Sequence, residues 1–176
     1  MIVRKALVSD LAQAAALYDK VTLYLENNIN YPDWTYKIYP SFETAKEGVE
    51  AETLFVCTEN EEIIGEFILN TDPAGDYETG DWSVFIPEGE YMIIHALAVD
   101  PDFSRKGVGR RMVEFCMDYA KENGFRAIRL DAVPKNLPAR HMYESLGFRF
   151  AGERDLKRYE TGILSFALYE FVFDSL

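Results

Sequence analysis

The sequence predicts one domain over residues 1–176 with an α/β (α+β) fold. Three observations carry that reading. Strand-like and helix-like patterns alternate along the chain. A nearly unbroken apolar run near the middle leads through a glycine-containing loop into a helix. Apolar residues make up 48% and aromatics 14% of 176 residues, enough to bury one core and to disfavour disorder.

The elements follow in order. Ile2 to Ala6 reads as a short strand. Asp10 to Asn27 reads as a helix, because Leu11, Ala14, Ala15, Tyr18, Val21, Thr22 and Leu25 recur at three- and four-residue steps. Ser9-Asp10 supplies cap chemistry at its start, and Asn27-Asn28 can end it. Residues 29–40 form a loop holding Tyr31, Pro32, Trp34, Tyr36, Tyr39 and Pro40. A second helix covers Ser41 to Glu50. Thr53 to Thr58 and Ile63 to Asn70 make a hairpin across Glu59-Asn60-Glu61-Glu62. Residues 71–90 are a surface excursion with its own hairpin around Trp82 to Phe85. Tyr91 to Val99 is a buried central strand. A helix then carries the stripe Val108, Met112, Phe115, Cys116, Tyr119 and Ala120, and Asn123-Gly124 ends it. Ala127 to Val133 is the next strand. Pro138 opens a helix whose Ala139, Met142, Tyr143 and Leu146 share one face, with Gly147 at its end. Phe148 to Asp155 and Ile163 to Phe173 close the sheet as an antiparallel pair.

Charge and cysteine usage exclude several classes. Eighteen basic against thirty acidic side chains give a net charge of −12. Such a field repels phosphate backbones, so neither nucleic acid nor an anionic membrane is an expected partner. The two cysteines and two histidines show no metal-ligand spacing, so no metal site is expected. The start Met1-Ile2-Val3-Arg4-Lys5 leads into no signal-like apolar run, and no stretch of about 18 apolar residues spans a membrane. A reducing cytoplasm fits these features.

The segment after the central strand reads Asp100-Pro101-Asp102-Phe103-Ser104-Arg105-Lys106-Gly107-Val108-Gly109-Arg110. Strand, glycine loop and helix make a phosphate-binding arrangement. The first N–H groups of a helix lack internal partners, and glycine lets the chain approach a pyrophosphate closely. Arg105, Lys106, Arg110 and Arg111 add cations to an acidic protein. It is neither a Gly-x-Gly-x-x-Gly dinucleotide loop, since Met112 takes the third glycine position, nor a P-loop.

Three signals now stand in order: Leu97-Ala98-Val99-Asp100-Pro101, the loop at 104–109, and Asn136 to Phe148. The loop resembles an Arg/Gln-x-x-Gly-x-Gly/Ala pattern. The last segment resembles Asn-x-x-Ala-(x)n-Tyr-x-x-x-Gly-Phe. In these features the chain resembles the GNAT superfamily of acyl-CoA-dependent N-acetyltransferases, most closely over 91–148. The resemblance implies a mixed central sheet of about six to seven strands flanked by helices. It implies acetyl-CoA as cofactor, a primary amine as acceptor, and a homodimer as one allowed assembly. One departure stands at Ser104, where the family usually has Arg or Gln; Arg105 comes one position late. His95-Ala96-Leu97-Ala98-Val99 also resembles the central strand of arylalkylamine N-acetyltransferases, in which a matching histidine helps remove the amine proton.

The resemblance assigns roles. Leu97, Ala98 and Val99 pair with the pantetheine arm, and the Leu97 N–H is the candidate donor to the thioester oxygen. Ser104, Arg105, Lys106, Gly107, Val108, Gly109 and Arg110 hold the pyrophosphate. Asn136 contacts the cofactor or a relay water, or is plain turn chemistry. Arg140 reaches cofactor phosphates or is a surface cation. Tyr143 is the candidate general acid, since a phenol near pKa 10 keeps its proton at neutral pH. The alternative is a core aromatic. His95 is the candidate base or a buried structural histidine. Glu90 and Tyr91 are reserves for proton relay, and His141 is read as surface.

On the acceptor side, Tyr31, Trp34 and Tyr36 offer ring faces, or pack. Leu156 to Gly162, with Lys157, Arg158 and Tyr159, forms a second wall. Asp72, Asp76, Glu78, Asp81, Glu88 and Glu90 make an acidic rim or a solvated loop. A small-molecule amine is the leading acceptor. A protein N-terminus or lysine is the alternative, and a non-catalytic acyl-CoA-binding module is the reading from a different class.

Overall fold

Asn60 and Glu61 both take left-handed backbone conformations (φ 49° and 67°), the geometry of a tight two-residue hairpin turn. They join β2 (Leu54–Glu59) to β3 (Glu62–Asn70), with Leu54 opposite Ile68 and Phe55 opposite Phe67. The computed structural model describes residues 1–158 and 162–173. β1 (Ile2–Lys5) pairs with β2. The other strands are β4 (Tyr91–Val99), β5 (Ala127–Ala132), β6 (Arg149–Arg154) and β7 (Phe166–Val172). The helices are α1 (Leu11–Glu26), α2 (Phe42–Glu50), α3 (Val108–Glu122) and α4 (Leu137–Ser145). The strands form a mixed seven-stranded sheet in the order β1-β2-β3-β4-β5-β7-β6. β4 and β5 are parallel and α3 is their crossover, as parallel neighbours require. β7 pairs antiparallel with both β5 and β6.

Residue contacts divide the chain into two compact units. One comprises Met1–Asn30, Trp34–Leu69 and His95–Phe115; the other comprises Tyr31–Asp33, Asn70–Ile94 and Cys116–Leu176.

In the first unit, β3 is buried on both faces. Phe67 stacks on Phe55 at 5.4 Å between centroids, and both meet Phe115 of α3. A Cβ on Gly65 would come within 2.9 Å of Met112 and 3.1 Å of Val108. Glycine here lets the first turn of α3 sit directly on β3, which fixes where the preceding loop ends. On the other face, Ile68, Val56 and Leu54 pack with Ala14, Tyr18 and Val21 of α1 and Ala45 and Val49 of α2. Each large apolar side chain fully buried this way contributes about 1.5–3 kcal/mol.

The second unit is held by charge in register. Arg129 on β5 lies opposite Glu170 on β7, which lies opposite Arg149 on β6. Arg149 binds Glu170 at 2.5 Å. The buried Arg129 guanidinium is sandwiched between the rings of Trp82 and Tyr91, 4.1 Å from each centroid. Burial lowers its pKa, and Glu170 counters that shift. Tyr77, also buried, donates to Asp131 at 2.6 Å, and Arg158 pairs with the same carboxylate at 2.8 Å.

Two expectations are corrected. Trp82 to Phe85 forms no strand. The Trp82 ring lies over Arg129, its Nε1 donates to the Tyr77 carbonyl at 2.6 Å, and the Ser83 N–H goes to Glu170 at 2.6 Å. The groups a hairpin would use are therefore engaged elsewhere. Asp10 does not cap α1 with its side chain; it accepts from the Leu7 N–H and pairs with Arg4 at 2.6 Å. The far end of α1 behaves as predicted, with the Asn27 and Asn28 side chains closing onto the Leu23 and Tyr24 carbonyls.

Candidate active site

β4 changes character along its length. Tyr91 to Ile94 are all buried, and their parallel register runs from Tyr91 opposite Ala127 to Ile94 opposite Leu130. From His95 onward burial alternates: His95, Leu97 and Val99 are half-buried, while Ala96 and Ala98 are buried in the core against α1. Ala96 takes a left-handed conformation, φ 47°. For a residue with a side chain that conformation costs about 1–2 kcal/mol, and it interrupts an extended strand. The Ala96 carbonyl accepts a hydrogen bond from the buried Tyr18 hydroxyl of α1 at 3.2 Å. Past the strand end, Asp100 accepts from Lys20 of α1 at 2.7 Å and from the Asp102 N–H at 2.9 Å. Lys20 also reaches Asp102 at 2.7 Å. These two carboxylates raise the Lys20 pKa. One helix thus holds both the kink of β4 and its exit.

The loop that follows is exposed from Ser104 to Gly107. Arg105 and Gly107 are left-handed, φ 61° and 81°. A Cβ placed on Gly107 would meet nothing within 4 Å, so the space above this backbone is open. The first α3 hydrogen bond closes from the Arg111 N–H to the Gly107 carbonyl at 3.0 Å. The N–H groups of Val108, Gly109 and Arg110 therefore precede the helical ladder. Lys106 lies 4.6 Å over the Phe103 ring, and Arg110 lies 3.9 Å from Glu114. An open glycine backbone, an unladdered helix start and flanking cations fit a pyrophosphate.

In the second unit, Asn136 caps α4 by accepting from the Ala139 N–H at 3.4 Å. Tyr143 is buried, its ring against Phe148 and Tyr169. Burial, and then the charge of Asp131, push its pKa up. Arg140 does not stand out as a surface cation. Its Nε donates to the Tyr169 hydroxyl at 2.9 Å and its Nη1 to the Pro134 carbonyl at 2.7 Å, so it braces α4. The two reserves for proton relay are also engaged: Glu90 pairs with Arg126 at 2.8 Å, and Tyr91 lies against Arg129. His141 is exposed.

The acceptor-side residues divide. Trp34 packs against the α1–α2 core and is bracketed by Asn30, which donates to its carbonyl and accepts from its N–H. Tyr36 is half-buried, with Lys37 5.2 Å over its ring. Tyr31, in the second unit, is half-buried. Three acids of the 71–90 excursion are neutralised by distant bases: Asp76 by Lys157, Asp81 by Arg154 and Glu90 by Arg126. Arg158 serves Asp131, and Tyr159 lies outside the described residues.

Comparison with known proteins settles the family. The sequence model of the Acetyltransferase (GNAT) family matches residues 12–148. The chain belongs to that family. A [Ribosomal protein bS18]-alanine N-acetyltransferase from Salmonella typhimurium is 32% identical over 87 residues, 49% of this chain and 59% of that protein. The chain thus spans less than two thirds of that relative's length. Among solved structures, an acetyltransferase of the GNAT family from Streptococcus agalactiae superposes with a TM-score of 0.80 at 16% identity, covering 99% of this chain and 96% of that one. The protein yncA from Salmonella typhimurium, solved with its cofactor acetyl-CoA, gives 0.70 at 17% identity, covering 99% and 95%. At such identities the likeness is one of fold.

Some residues around this GNAT strand escaped sequence reasoning. Tyr18 and Lys20 read only as helix positions. Glu66 is fully buried, and neither carboxyl oxygen has a hydrogen-bond partner among the described residues. Burial pushes its pKa well above the usual carboxylate range. Its signal was visible: it is the lone acid inside Ile63-Ile64-Gly65-Glu66-Phe67-Ile68-Leu69. Among the described residues no helix is long and apolar enough to cross a membrane, and no cluster of His, Cys, Asp and Glu could hold a metal ion.

Proposed function

We propose that the chain, as one catalytic domain, transfers the acetyl group of acetyl-CoA to the primary amine of a small molecule by direct attack. The observation that carries this reading is the left-handed Ala96 inside β4. A strained backbone in a buried strand persists where it serves a site. Here it interrupts the extended strand just before Leu97 and just ahead of a loop suited to phosphates.

Each role follows from local chemistry. Acetyl-CoA supplies an activated acyl thioester. The backbone of Ser104 to Arg110 donates to its pyrophosphate, with Arg105, Lys106 and Arg110 adding positive charge. The edge of Leu97, Ala98 and Val99 pairs with the pantetheine arm. The Leu97 N–H donates to the thioester oxygen as negative charge develops there. Ser104 forgoes the side chain usual at that position, but the backbone donors do not depend on it. Asn136 orients the start of α4. His95, half-buried on the strand, takes the amine proton directly or through water. Tyr143 shares its proton with the departing sulfur. A buried phenol with a raised pKa holds that proton throughout the working range.

Tyr31, Trp34 and Tyr36, each half-buried, offer ring faces to the acceptor. Lys37 over Tyr36 and the three ion pairs of the acidic excursion reduce the surplus negative charge open to a cationic amine. The apolar body of the amine therefore contributes more to recognition than its charge. The two buried free thiols suit a reducing cytoplasm. A second reading, acetylation of a protein alanine, is favoured by the likeness to the [Ribosomal protein bS18]-alanine N-acetyltransferase of Salmonella typhimurium.

A thiol-release assay with wild-type protein, acetyl-CoA, a panel of small primary amines and an alanine-initiated peptide tests this. Release with a small amine and not with the peptide is the expected result. Release with the peptide alone would transfer the reading to protein acetylation. Acetyl-CoA binding without release to any acceptor would make the chain a binding module.

A further inference from the structure

We propose that Tyr18 of α1 is a positioning residue for acyl transfer: by gripping the Ala96 carbonyl it aims the Leu97 N–H at the thioester oxygen. This rests on the acetyl-transfer reading above. The argument is geometric. The Ala96–Leu97 peptide is planar and trans, so its C=O and N–H point in opposite directions. In a regular strand both lie in the sheet and face neighbouring strands. Tyr18, however, packs against the face of the sheet, in one buried cluster with Ala14, Val21, Ala96 and Ala98. A carbonyl that accepts from it has left the ladder, and its N–H has turned the opposite way.

The grip is rigid. Tyr18 is 0% exposed, and Thr22 donates to its backbone carbonyl at 2.7 Å. Two residues on, Lys20 holds Asp100 and Asp102, so α1 clamps the segment at both ends. The hydroxyl remains a donor because burial, followed by the nearby Glu66 and Tyr39, raises its pKa well above the ordinary phenol. Burial raises the pKa of Glu66 as well. A donor on the carbonyl also polarises the peptide, which strengthens its N–H as a donor.

The test is the carbonyl band of acetyl-CoA, labelled with ¹³C at the acetyl carbonyl, bound to wild-type protein and to Tyr18→Phe. The substitution removes one oxygen and keeps the ring. The expected result is a band lowered on binding to wild type that returns toward its free position in the variant. Turnover number falls between about 10- and 100-fold, while acetyl-CoA affinity stays within about twofold. An unchanged band with turnover within twofold would overturn the proposal. So would a lost turnover matched by an equal loss of acetyl-CoA affinity, the mark of a merely structural role. If the variant fails to fold, 3-fluorotyrosine at position 18, a stronger donor of nearly the same shape, takes its place. It should lower the band further, and no movement would overturn the proposal. Failure of wild-type protein to acetylate any acceptor would instead overturn the underlying reading, and the band still judges the grip by itself.

Discussion

Tyr91–Ile94 and His95–Val99 belong to one apolar strand and are built for different tasks. The first four residues are buried on every side and run in parallel register with Ala127 to Leu130. Nothing in their backbone departs from an extended strand. The next five alternate between buried and half-buried, turn left-handed at Ala96, and are held from one face by Tyr18. The first half stabilises by burial. The second departs from the extended strand at Ala96 and leaves every other residue half-buried. A single positive φ marks the boundary.

Forcing the second half to resemble the first should have the largest effect. Ala96→Val puts a β-branched side chain where φ must be positive. Turnover should fall by about 10² or more, and stability by about 1–3 kcal/mol. Ala96→Gly accepts the same φ without strain, so its turnover should match wild type. Steady-state kinetics and thermal melting on the pair check this; equal activity in both variants would show that the kink is incidental.

Tyr143→Phe leaves both halves of the strand intact. It should lower turnover by about 10², with acetyl-CoA binding nearly unchanged, if the phenol supplies the proton. Turnover within a factor of two would make Tyr143 a packing residue, in line with its contacts to Phe148 and Tyr169.

Gly107→Val acts beyond the strand, at the loop its kinked half feeds. The positive φ of Gly107 opposes any side chain, and the open space above it is where a pyrophosphate would approach. Calorimetry should show weaker acetyl-CoA binding by about tenfold or more, from about 1–2 kcal/mol of backbone strain and the blocked approach. Undiminished affinity would move the phosphate site elsewhere.

The smallest effect on turnover is expected at Glu66, which lies on β3 and near Tyr18 but outside the reacting groups. Its folded-state pKa is raised, so the folded chain keeps a proton that the unfolded chain loses above about pH 4.3. Stability then falls as pH rises from there, by up to ~1.4 kcal/mol per unit, until the folded-state carboxyl titrates. Glu66→Gln removes this slope. Its melting temperature should pull ahead of wild type as pH rises above about 4.3, with turnover unchanged. A constant gap would mean that the carboxyl titrates normally.

The strands and helices were legible because each has a clear hydrophobic period, and their observed limits fall close to the predicted ones. The central strand, the glycine loop and the helix after it were legible as consecutive elements for the same reason. The clamp from α1 was not. Tyr18 and Ala96 stand 78 positions apart, and only the packing of a helix on a sheet brings them together. Nor does sequence alone show that Ala96, rather than a glycine, takes a left-handed conformation. Trp82 to Phe85 misled because Trp82, which looks like a strand aromatic, is a lid on Arg129. The contacts of Arg140 were not legible either, since Tyr169 stands 29 positions away and meets it only through packing.

The central claim is that the Leu97 N–H meets the acyl oxygen. The most direct test follows the Leu97 backbone amide by NMR in ¹⁵N-labelled protein titrated with acetyl-CoA and, separately, with coenzyme A. Both molecules should perturb Ser104 to Arg110 alike, since they share the pyrophosphate. Only acetyl-CoA should move the Leu97 amide proton downfield, as a new hydrogen bond to the acetyl carbonyl would. The same Leu97 shift with both molecules, or with neither, would contradict the account.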